Sequence, residues 1–163
     1  MHYDFASFSQ KNNVFIGYKN ASITLCQNNQ KIEGWSKAKS IWYKTFRHDD
    51  DNNFYWPIEK NSIRIVLDLN FQKSMESTFM DVHHIPGEEI RDFVPLGALR
   101  MLIVSYNGII SITNSTDIEC QVNMHLTKDE VTKALAIDST KKYFCVSVKN
   151  SNPMVPSLRF YKL

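Results

Sequence analysis

Apolar and polar residues alternate along much of the chain, and this period of two predicts β-strands. In the stretch 62–69, Ile63, Ile65 and Leu67 would line one face while Arg64 and Asp68 lie opposite. Further predicted strands are 14–16, 22–25, 100–106, 108–113, 117–124, 142–149 and 158–163. The pattern therefore predicts a mainly β fold.

Two of these strands are separated by Asn107-Gly108, a dipeptide suited to a tight hairpin turn because such turns need positive φ angles. The strand that follows, 117–124, alternates so regularly that we expect one buried and one solvent-exposed face. Its alternate apolar residues are Ile118, Cys120, Val122 and Met124.

A helix is predicted over 126–136, where Thr127 and Glu130 have the spacing of a capping box. Its apolar stripe would consist of Val131, Ala134 and Leu135. A strand over 130–138 is the alternative, because apolar residues also alternate there; we favour the helix. Two further helical patterns cover 36–46 and 72–80.

The order of the elements favours a small β-barrel. From residue 100 to residue 163 the order is strand, strand, strand, helix, strand, strand, which is similar to the oligonucleotide/oligosaccharide-binding (OB) fold. In length and element order the chain resembles the small subunits of replication-protein-A-like complexes, including that of the telomeric CST complex.

This resemblance implies a single β-rich domain over residues 1–163, in which about residues 1–60 extend the barrel. It also implies a non-catalytic subunit that docks protein subunits of a hetero-oligomeric complex. Single-stranded, telomere-type DNA would then be bound through the complex.

The alternative architecture is a β-propeller of the WD-repeat type, which would act as a protein-interaction scaffold. Two stretches look like degenerate propeller blades: 8–17 followed by 22–25, and 135–144 followed by 158–163. A blade takes about 40–45 residues, so this chain allows at most four, and the Trp-Asp and Gly-His signatures are absent. We therefore place the barrel first.

Charge and composition restrict the possible functions of the chain more than they restrict its possible folds. Lys and Arg number 19 against 17 Asp and Glu, and a net charge of +2 is too small to indicate an independent nucleic-acid binder. Residues 1–5 contain no basic segment followed by an apolar core, and no apolar run approaches the roughly 20 residues of a membrane span. We expect an intracellular protein without a signal peptide or membrane contact, nuclear rather than cytoplasmic.

The three cysteines, Cys26, Cys120 and Cys145, are widely spaced and odd in number, which does not suit a disulfide framework. Each lies in an apolar or alternating stretch. We therefore expect reduced and mostly buried thiols.

Clusters of chemically active side chains are few. His83-His84, with Asp81 and Glu88-Glu89 nearby, lacks the spacing of a zinc site and is interpreted as a solvated loop. The acidic run 49–51 lacks the glycine and the closing glutamate of a calcium loop, and is interpreted as an exposed turn. Nucleophile elbows and phosphate loops are absent. We predict no catalytic residue, no metal ligand and no cofactor, and keep an enzyme of unknown class as a third hypothesis.

One segment combines cations with aromatic rings, over 37–47 and again at 54–56. This composition suits stacking of single-stranded nucleic acid, or a protein interface anchored by Trp, Tyr and Arg, or rings that simply form core. The predicted partner or nucleic-acid surface consists of Lys37, Lys39, Trp42, Tyr43, Lys44, Arg47, Tyr55 and Trp56.

Overall fold

The computed structural model describes residues 5–9, 14–19, 22–27, 30–36, 47–49, 53–66, 79–83, 88–114, 117–150 and 156–163. All regular elements within these ranges are β-strands, which confirms the predicted mainly β fold. A search of the same residues finds no helix with the length and hydropathy of a membrane span. Contacts divide the chain into two compact units, 1–82 and 83–163. The single domain over 1–163 stays a prediction.

The first unit is built from two four-stranded sheets, each with its strands side by side in chain order. The first sheet contains β1 (Phe5–Ser9), β2 (Val14–Lys19), β3 (Ser22–Gln27) and β4 (Gln30–Ser36). The second contains β5 (Arg47–His48), β6 (Phe54–Glu59), β7 (Ser62–Val66) and β8 (Phe79–His83). Strands predicted at 14–16 and 22–25 lie within β2 and β3, and β7 covers the first part of the strand predicted at 62–69.

Within the described residues, the second unit contains one four-stranded and one three-stranded antiparallel sheet. The four-stranded sheet consists of β9 (Ile90–Gly97), β10 (Arg100–Ser105), β11 (Ile109–Thr113) and β12 (Ile118–Asn123). The three-stranded sheet consists of β13 (Glu130–Ile137), β14 (Tyr143–Asn150) and β15 (Pro156–Lys162). Every strand predicted over 100–124 and 142–163 is confirmed, with small shifts at its ends.

The OB-fold prediction is wrong. Strands pair with their chain neighbours in four separate sheets, and no pairing among the described residues closes a barrel. Strands β1 to β4 form a sheet of their own, and the assignment of about residues 1–60 to an N-terminal extension stays a prediction. The helix predicted over 126–136 is also wrong, since β13 occupies most of that stretch and confirms the alternative of a strand.

A β-bulge in β13 determines which residues of the predicted helix are buried. The register of β13 against β14 shifts between Thr132 and Ala134, so both Thr132 and Leu135 are buried while Lys133 and Ala134 are exposed. Burial at a spacing of three residues imitates the period of a helix, although the backbone is extended.

The pair interpreted as a capping box is a real contact with a different role. The N–H of Thr127 donates to the carboxylate of Glu130 at 2.9 Å, and the N–H of Glu130 donates to the carbonyl of Thr127 at 3.1 Å. These two hydrogen bonds close a β-turn that leads into β13. The sequence signal located a turn of the backbone correctly and assigned it to the wrong element.

The predicted turn at Asn107-Gly108 is confirmed as part of a three-residue connection between β10 and β11. Gly108 has a φ of +85° and donates its N–H to the carbonyl of Ser105 at 3.1 Å. A left-handed glycine at the end of such a connection is a common hairpin geometry, because other residues adopt positive φ at a cost.

The two sheets of the second unit pack face to face around a hydrophobic core. Its buried members are Leu102, Val104, Ile110, Met124, Leu135, Phe144, Val146 and Val148. A polar tie crosses the interface as well: the buried hydroxyl of Thr132 donates to the carbonyl of Ser105 at 2.6 Å. This packing fixes the relative position of the surfaces described next.

Candidate functional site

Most of the predicted partner surface falls outside the described residues: Lys37, Lys39, Trp42, Tyr43 and Lys44. The remaining three lie on neighbouring strands of one sheet. Arg47 in β5 pairs with Tyr55 in β6, and Trp56 in β6 pairs with Arg64 in β7. The surface as a whole stays a prediction, with one correction.

Tyr55 is a core residue and does not belong to an exposed surface. Its side chain is fully buried, and its hydroxyl donates to the carboxylate of Asp49 at 2.6 Å. The same carboxylate accepts the backbone N–H of Asn53 at 2.9 Å and its side-chain amide at 2.8 Å. Asp49 is thus a buried acceptor satisfied by three donors, and the exposed turn predicted at this position is wrong for Asp49.

The histidine cluster considered as a metal site is only partly described. His83 ends β8, Glu88 and Glu89 lie before β9, and His84 lies outside the described residues. Among the residues that the structure covers, no three His, Cys, Asp or Glu side chains converge in a way that could hold a metal ion. The absence of a cofactor stays a prediction.

The second unit has an apolar groove of about 180 Å³ that the sequence did not reveal. We call it the outer groove. The four-stranded sheet forms one wall with Ile112, Cys120 and Val122. The other wall consists of Phe144 and Tyr161 of the three-stranded sheet and of Leu163, which follows β15.

Strand register builds both walls. Leu102, Ile112 and Cys120 form one row across β10, β11 and β12, because residues paired across strands share a face. In the facing sheet Phe144 pairs with Tyr161, and their rings stack with centroids 5.0 Å apart. Rows of apolar side chains therefore run from the core outward to the rim of the groove.

The outer end of this wall is exposed. All six residues of β12 are exposed, including Val122 with 51% of its surface accessible, and Cys120 carries a free thiol. The predictions of a buried face on 117–124 and of a buried Cys120 are therefore wrong, and only Met124 of that face is buried. β12 is an edge strand, and the facing sheet ends, among the described residues, before it could cover β12.

The other two cysteines, Cys145 and Cys26, were also predicted to have reduced and mostly buried thiols. Cys145 is a half-buried free cysteine. The side chain of Cys26 lies outside the described residues, although its backbone belongs to β3. The expectation of mostly buried thiols thus fails at Cys120, and no described pair forms a disulfide.

A second apolar surface lies on the opposite side of the three-stranded sheet. Tyr143, Leu158 and Phe160 are 55%, 57% and 74% exposed, and we call these three residues the terminal face. Phe160 pairs with Cys145, which pairs in turn with the exposed Ala136. The large side chains therefore stand beside small ones on one face of the sheet.

Ion pairs in the second unit join residues on different strands. Arg159 donates to Glu130 at 2.9 Å and to the carbonyl of Met124 at 2.9 Å. The hydrogen bond from the backbone of Thr127, together with Arg159, lowers the pKa of the Glu130 carboxyl below its ordinary value. On the other sheet Arg100 pairs with Glu119 at 2.7 Å. These arginines thus have carboxylate partners within the chain.

Comparisons with known proteins agree on the fold. Neither the search against protein-family models nor the search of curated proteins found a match. Among solved structures, Raptor from Chaetomium thermophilum matches with a TM-score of 0.67 and 14% identity, over 90% of this chain and 15% of Raptor. The Mitotic Checkpoint Complex matches with a TM-score of 0.60 and 8% identity, over 93% of this chain and 48% of the matched chain.

The WD40 β-propeller domain of Doa1 matches with a TM-score of 0.58 and 14% identity, over 96% of this chain and 49% of the matched chain. The similarity to OB-fold subunits of replication-protein-A-like or CST complexes is therefore wrong, and single-stranded DNA binding at telomeres has no support. The alternative of propeller-type blades is confirmed at the level of the fold, to which the four described sheets correspond. The chain spans between about one seventh and one half of the chains it matches.

Proposed function

We propose that this chain is a non-catalytic protein-interaction module of the β-propeller type, and that it binds another protein through the terminal face. The observation that carries this proposal is the exposure of three large apolar side chains, Tyr143, Leu158 and Phe160, on one sheet face. Isolated exposed apolar residues are ordinary, whereas a cluster that includes two aromatic rings is typical of an interaction site.

The composition of the terminal face favours a protein as the ligand. Burial of a tyrosine, a leucine and a phenylalanine removes much apolar surface from water, which is the main favourable term in most protein association. Two rings with few rotatable bonds also lose little conformational entropy when they become ordered, and aromatic residues frequently dominate interface energetics.

Nucleic acid is a less suitable ligand for the same surface. Binding to phosphates depends on cations that neutralise them, yet the formal charge is only +2. Arg100 and Arg159 are also engaged by Glu119 and Glu130. One structural neighbour, from the Mitotic Checkpoint Complex, belongs to a multi-protein assembly, which is consistent with a role in protein binding.

The test begins with a photo-crosslinking amino acid at Phe160, and in a second variant at Tyr143, in the full chain. A third variant carries it at Lys128, which is exposed in the turn before β13 and lies off the terminal face. In nuclease-treated lysate we expect the same discrete protein adduct from the first two positions and none from Lys128.

The protein identified in that adduct is then purified and titrated against the chain by calorimetry. We expect Phe160→Asp to weaken binding by at least about tenfold, while Lys128→Ala leaves it unchanged. Equal affinity of these two variants would refute the terminal face as the binding surface, and adducts with nucleic acid alone would refute protein binding.

A further inference from the structure

Lysines flank the terminal face at both ends of its sheet. Tyr143 pairs with Lys162 across β14 and β15, and Lys149 lies near the other end of β14. We propose that the partner segment bound by the terminal face is acidic: its apolar side chains pack on the terminal face, and its carboxylates pair with the lysines at the two ends. This inference rests on the proposed protein-binding function and specifies the chemistry of the partner.

Strand register places both lysines on the same side of the sheet as the large apolar residues. Residues of β14 alternate between its two sides, so Lys149 shares the side of Tyr143. Residues paired across neighbouring strands also share a side, and Lys162 pairs with Tyr143. One ligand can therefore contact the apolar and the cationic groups together.

A third lysine lies near Lys149. Lys133 is the extra residue at the bulge of β13 and is exposed, and Val131, two residues before it, pairs with Lys149. Loss of part of its hydration, and then the positive charges of Arg91 and Lys149, lower the pKa of Lys133 below its ordinary value. A carboxylate of the partner would relieve this repulsion. We call Lys133, Lys149 and Lys162 the basic rim.

The basic rim lacks acidic counterparts within the chain. In the part of the chain that the structure describes, no carboxylate forms an ion pair with its three lysines. Arg100 and Arg159 differ in this respect, since they pair with Glu119 and Glu130. Because unlike charges attract across an interface and like charges repel, an acidic partner suits this surface and a basic one does not.

Small side chains beside the large ones give a partner side chain room to pack. Phe160 pairs with Cys145, and Leu158 pairs with Ser147. Phe160 and Leu158 thus form a ridge on β15 beside a lower strip on β14. An apolar side chain of the partner would contact the ridge from the side and the strip from above, which is the shape complementarity expected of a protein interface.

The distance between the two ends of the basic rim indicates the size of the segment. Lys149 lies six residues after Tyr143 on β14, which corresponds to about 20 Å along an extended strand. An extended segment of about six or seven residues spans this distance, and so does a helix of about 13 residues. We therefore expect carboxylates at both ends of the segment and apolar residues between them.

An anionic membrane is a less suitable ligand than an acidic protein. Polybasic clusters that bind acidic lipids contain about four to eight Lys or Arg residues, whereas the basic rim consists of three lysines. The ridge of Leu158 and Phe160 beside small residues also offers a fixed shape, which a protein side chain can match and a fluid lipid surface does not use.

The probe is a phage-displayed library of random dodecapeptides, selected on the full chain at low ionic strength. Counter-selection on Phe160→Ala removes peptides that bind elsewhere on the protein. We expect the enriched peptides to carry Asp or Glu on both sides of large apolar residues. Enriched peptides without an excess of acidic residues, or no enrichment at all, would overturn the proposal.

Two double variants of the full chain, with the same net charge, test the basic rim. Lys149→Gln with Lys162→Gln removes one lysine at each end of the rim, whereas Lys60→Gln with Lys128→Gln removes two exposed lysines outside it. In fluorescence anisotropy with a synthetic enriched peptide, we expect the first variant to weaken binding at least about tenfold and the second less than about twofold. Equal affinities of the two double variants would overturn the proposal.

Changes in the peptide and in the salt test the same charges without altering the protein. Replacement of the acidic residues of the peptide by their amides should weaken its binding at least about tenfold. An increase in NaCl from about 50 mM to about 500 mM should weaken the acidic peptide at least about fivefold, because salt screens exposed charges. An affinity that responds to neither change would overturn the proposal.

Two other polyanions are measured against the same chain. Vesicles of phosphatidylcholine with phosphatidylserine, in sedimentation, and a labelled oligothymidylate, in anisotropy, should bind at least about tenfold more weakly than the peptide. Binding of either as tight as that of the peptide, and lost in Phe160→Ala, would identify a membrane or a nucleic acid as the ligand and overturn the proposal.

Failure of this inference can be distinguished from failure of the proposed function. The protein identified by crosslinking is titrated against Phe160→Ala and against both double variants. Affinity that falls with Phe160→Ala but is equal for the two double variants refutes the acidic partner alone. Affinity that is unaffected by Phe160→Ala refutes the proposed function itself.

Discussion

The carboxylate of Asp92 on β9 accepts the backbone N–H of Leu135 on β13 at 2.8 Å, and so joins the two sheets of the second unit. Its other oxygen accepts the N–H of Phe93 at 2.8 Å. Asp92 is only 8% exposed, and this buried acceptor is satisfied from both sheets. The bond also anchors β13 just after its bulge.

Replacement of Asp92 by alanine should lower the free energy of unfolding by about 1–3 kcal/mol, because the N–H of Leu135 would remain buried without an acceptor. Urea unfolding followed by circular dichroism measures this change. Lys128→Ala, at an exposed turn, should change the free energy by less than about 0.5 kcal/mol. Equal unfolding midpoints for the two variants would show that the hydrogen bond between Asp92 and Leu135 adds nothing to stability.

Gly108 should tolerate alanine less well than Gly97, although both have positive φ, +85° and +97°. A Cβ at Gly108 would lie 2.6 Å from Cγ of Leu126, whereas a Cβ at Gly97 meets only Nζ of Lys141, at 3.9 Å. Gly97→Ala should therefore cost only the backbone strain of about 1–2 kcal/mol, and Gly108→Ala clearly more. Thermal unfolding of the two variants tests this order; equal losses would contradict the steric contact.

The two ion pairs of the second unit should contribute unequally. Arg159 and Glu130 have side chains 29% and 14% exposed, against 46% and 31% for Arg100 and Glu119. Exposed pairs contribute little because water screens them. Glu130→Gln should therefore lower the urea midpoint more than Glu119→Gln does. The reverse order would mean that the hydrogen bonds of Glu130 to Thr127 and Arg159 are dispensable.

Asp138 should make stability dependent on acid pH. The hydroxyl of Thr140 and the backbone N–H of Tyr143 donate to its carboxylate and lower its pKa from 3.8 to about 2. Since the folded state binds this proton more weakly than the unfolded state, the contribution is present above about pH 4 and is lost as the pH falls toward about 2.

The measurement compares the parent chain with Asp138→Asn by urea unfolding at several pH values. The difference in unfolding free energy between them should shrink as the pH falls through this range. A difference independent of pH would contradict the lowered pKa. Lys128→Ala serves as the control, and its unfolding free energy should depend on pH in the same way as that of the parent chain.

Strand positions in the second unit could be predicted because local pattern and tertiary packing agree there. Leu102 and Val104 alternate on β10 and are buried in the core. The Asn107-Gly108 turn then sets where β10 ends and β11 begins. Where the local pattern agrees with the tertiary packing, the sequence alone predicts the positions of the strands.

Burial could not be predicted from alternation alone. Val122 lies on the apolar side of β12, but its exposure depends on a facing strand that is far away in sequence. Tyr55 shows the opposite case. The cations and aromatic residues near it in sequence predicted an exposed partner surface, whereas its hydroxyl donates to the buried carboxylate of Asp49 and its ring lies in the core. In both cases the deciding contact is set by tertiary structure.

Length misled the choice of architecture. The chain has room for at most four blades, and length alone therefore disfavours a closed propeller. The structure contains four blade-like sheets, and the propeller chains that it matches extend further. Four described sheets agree with the limit of at most four blades, so the length of the chain does not argue against this fold.

Among the described residues β15 is the edge strand of its sheet, and an open edge of this kind lowers solubility. A sheet edge that carries Leu158 and Phe160 can template pairing between molecules and growth into aggregates. Pro156 and Lys162 lie at the two ends of the strand and oppose such growth, since proline offers no N–H and stacked lysines repel each other. Salt weakens that repulsion, so concentrated preparations at high ionic strength are the conditions under which aggregation should begin first.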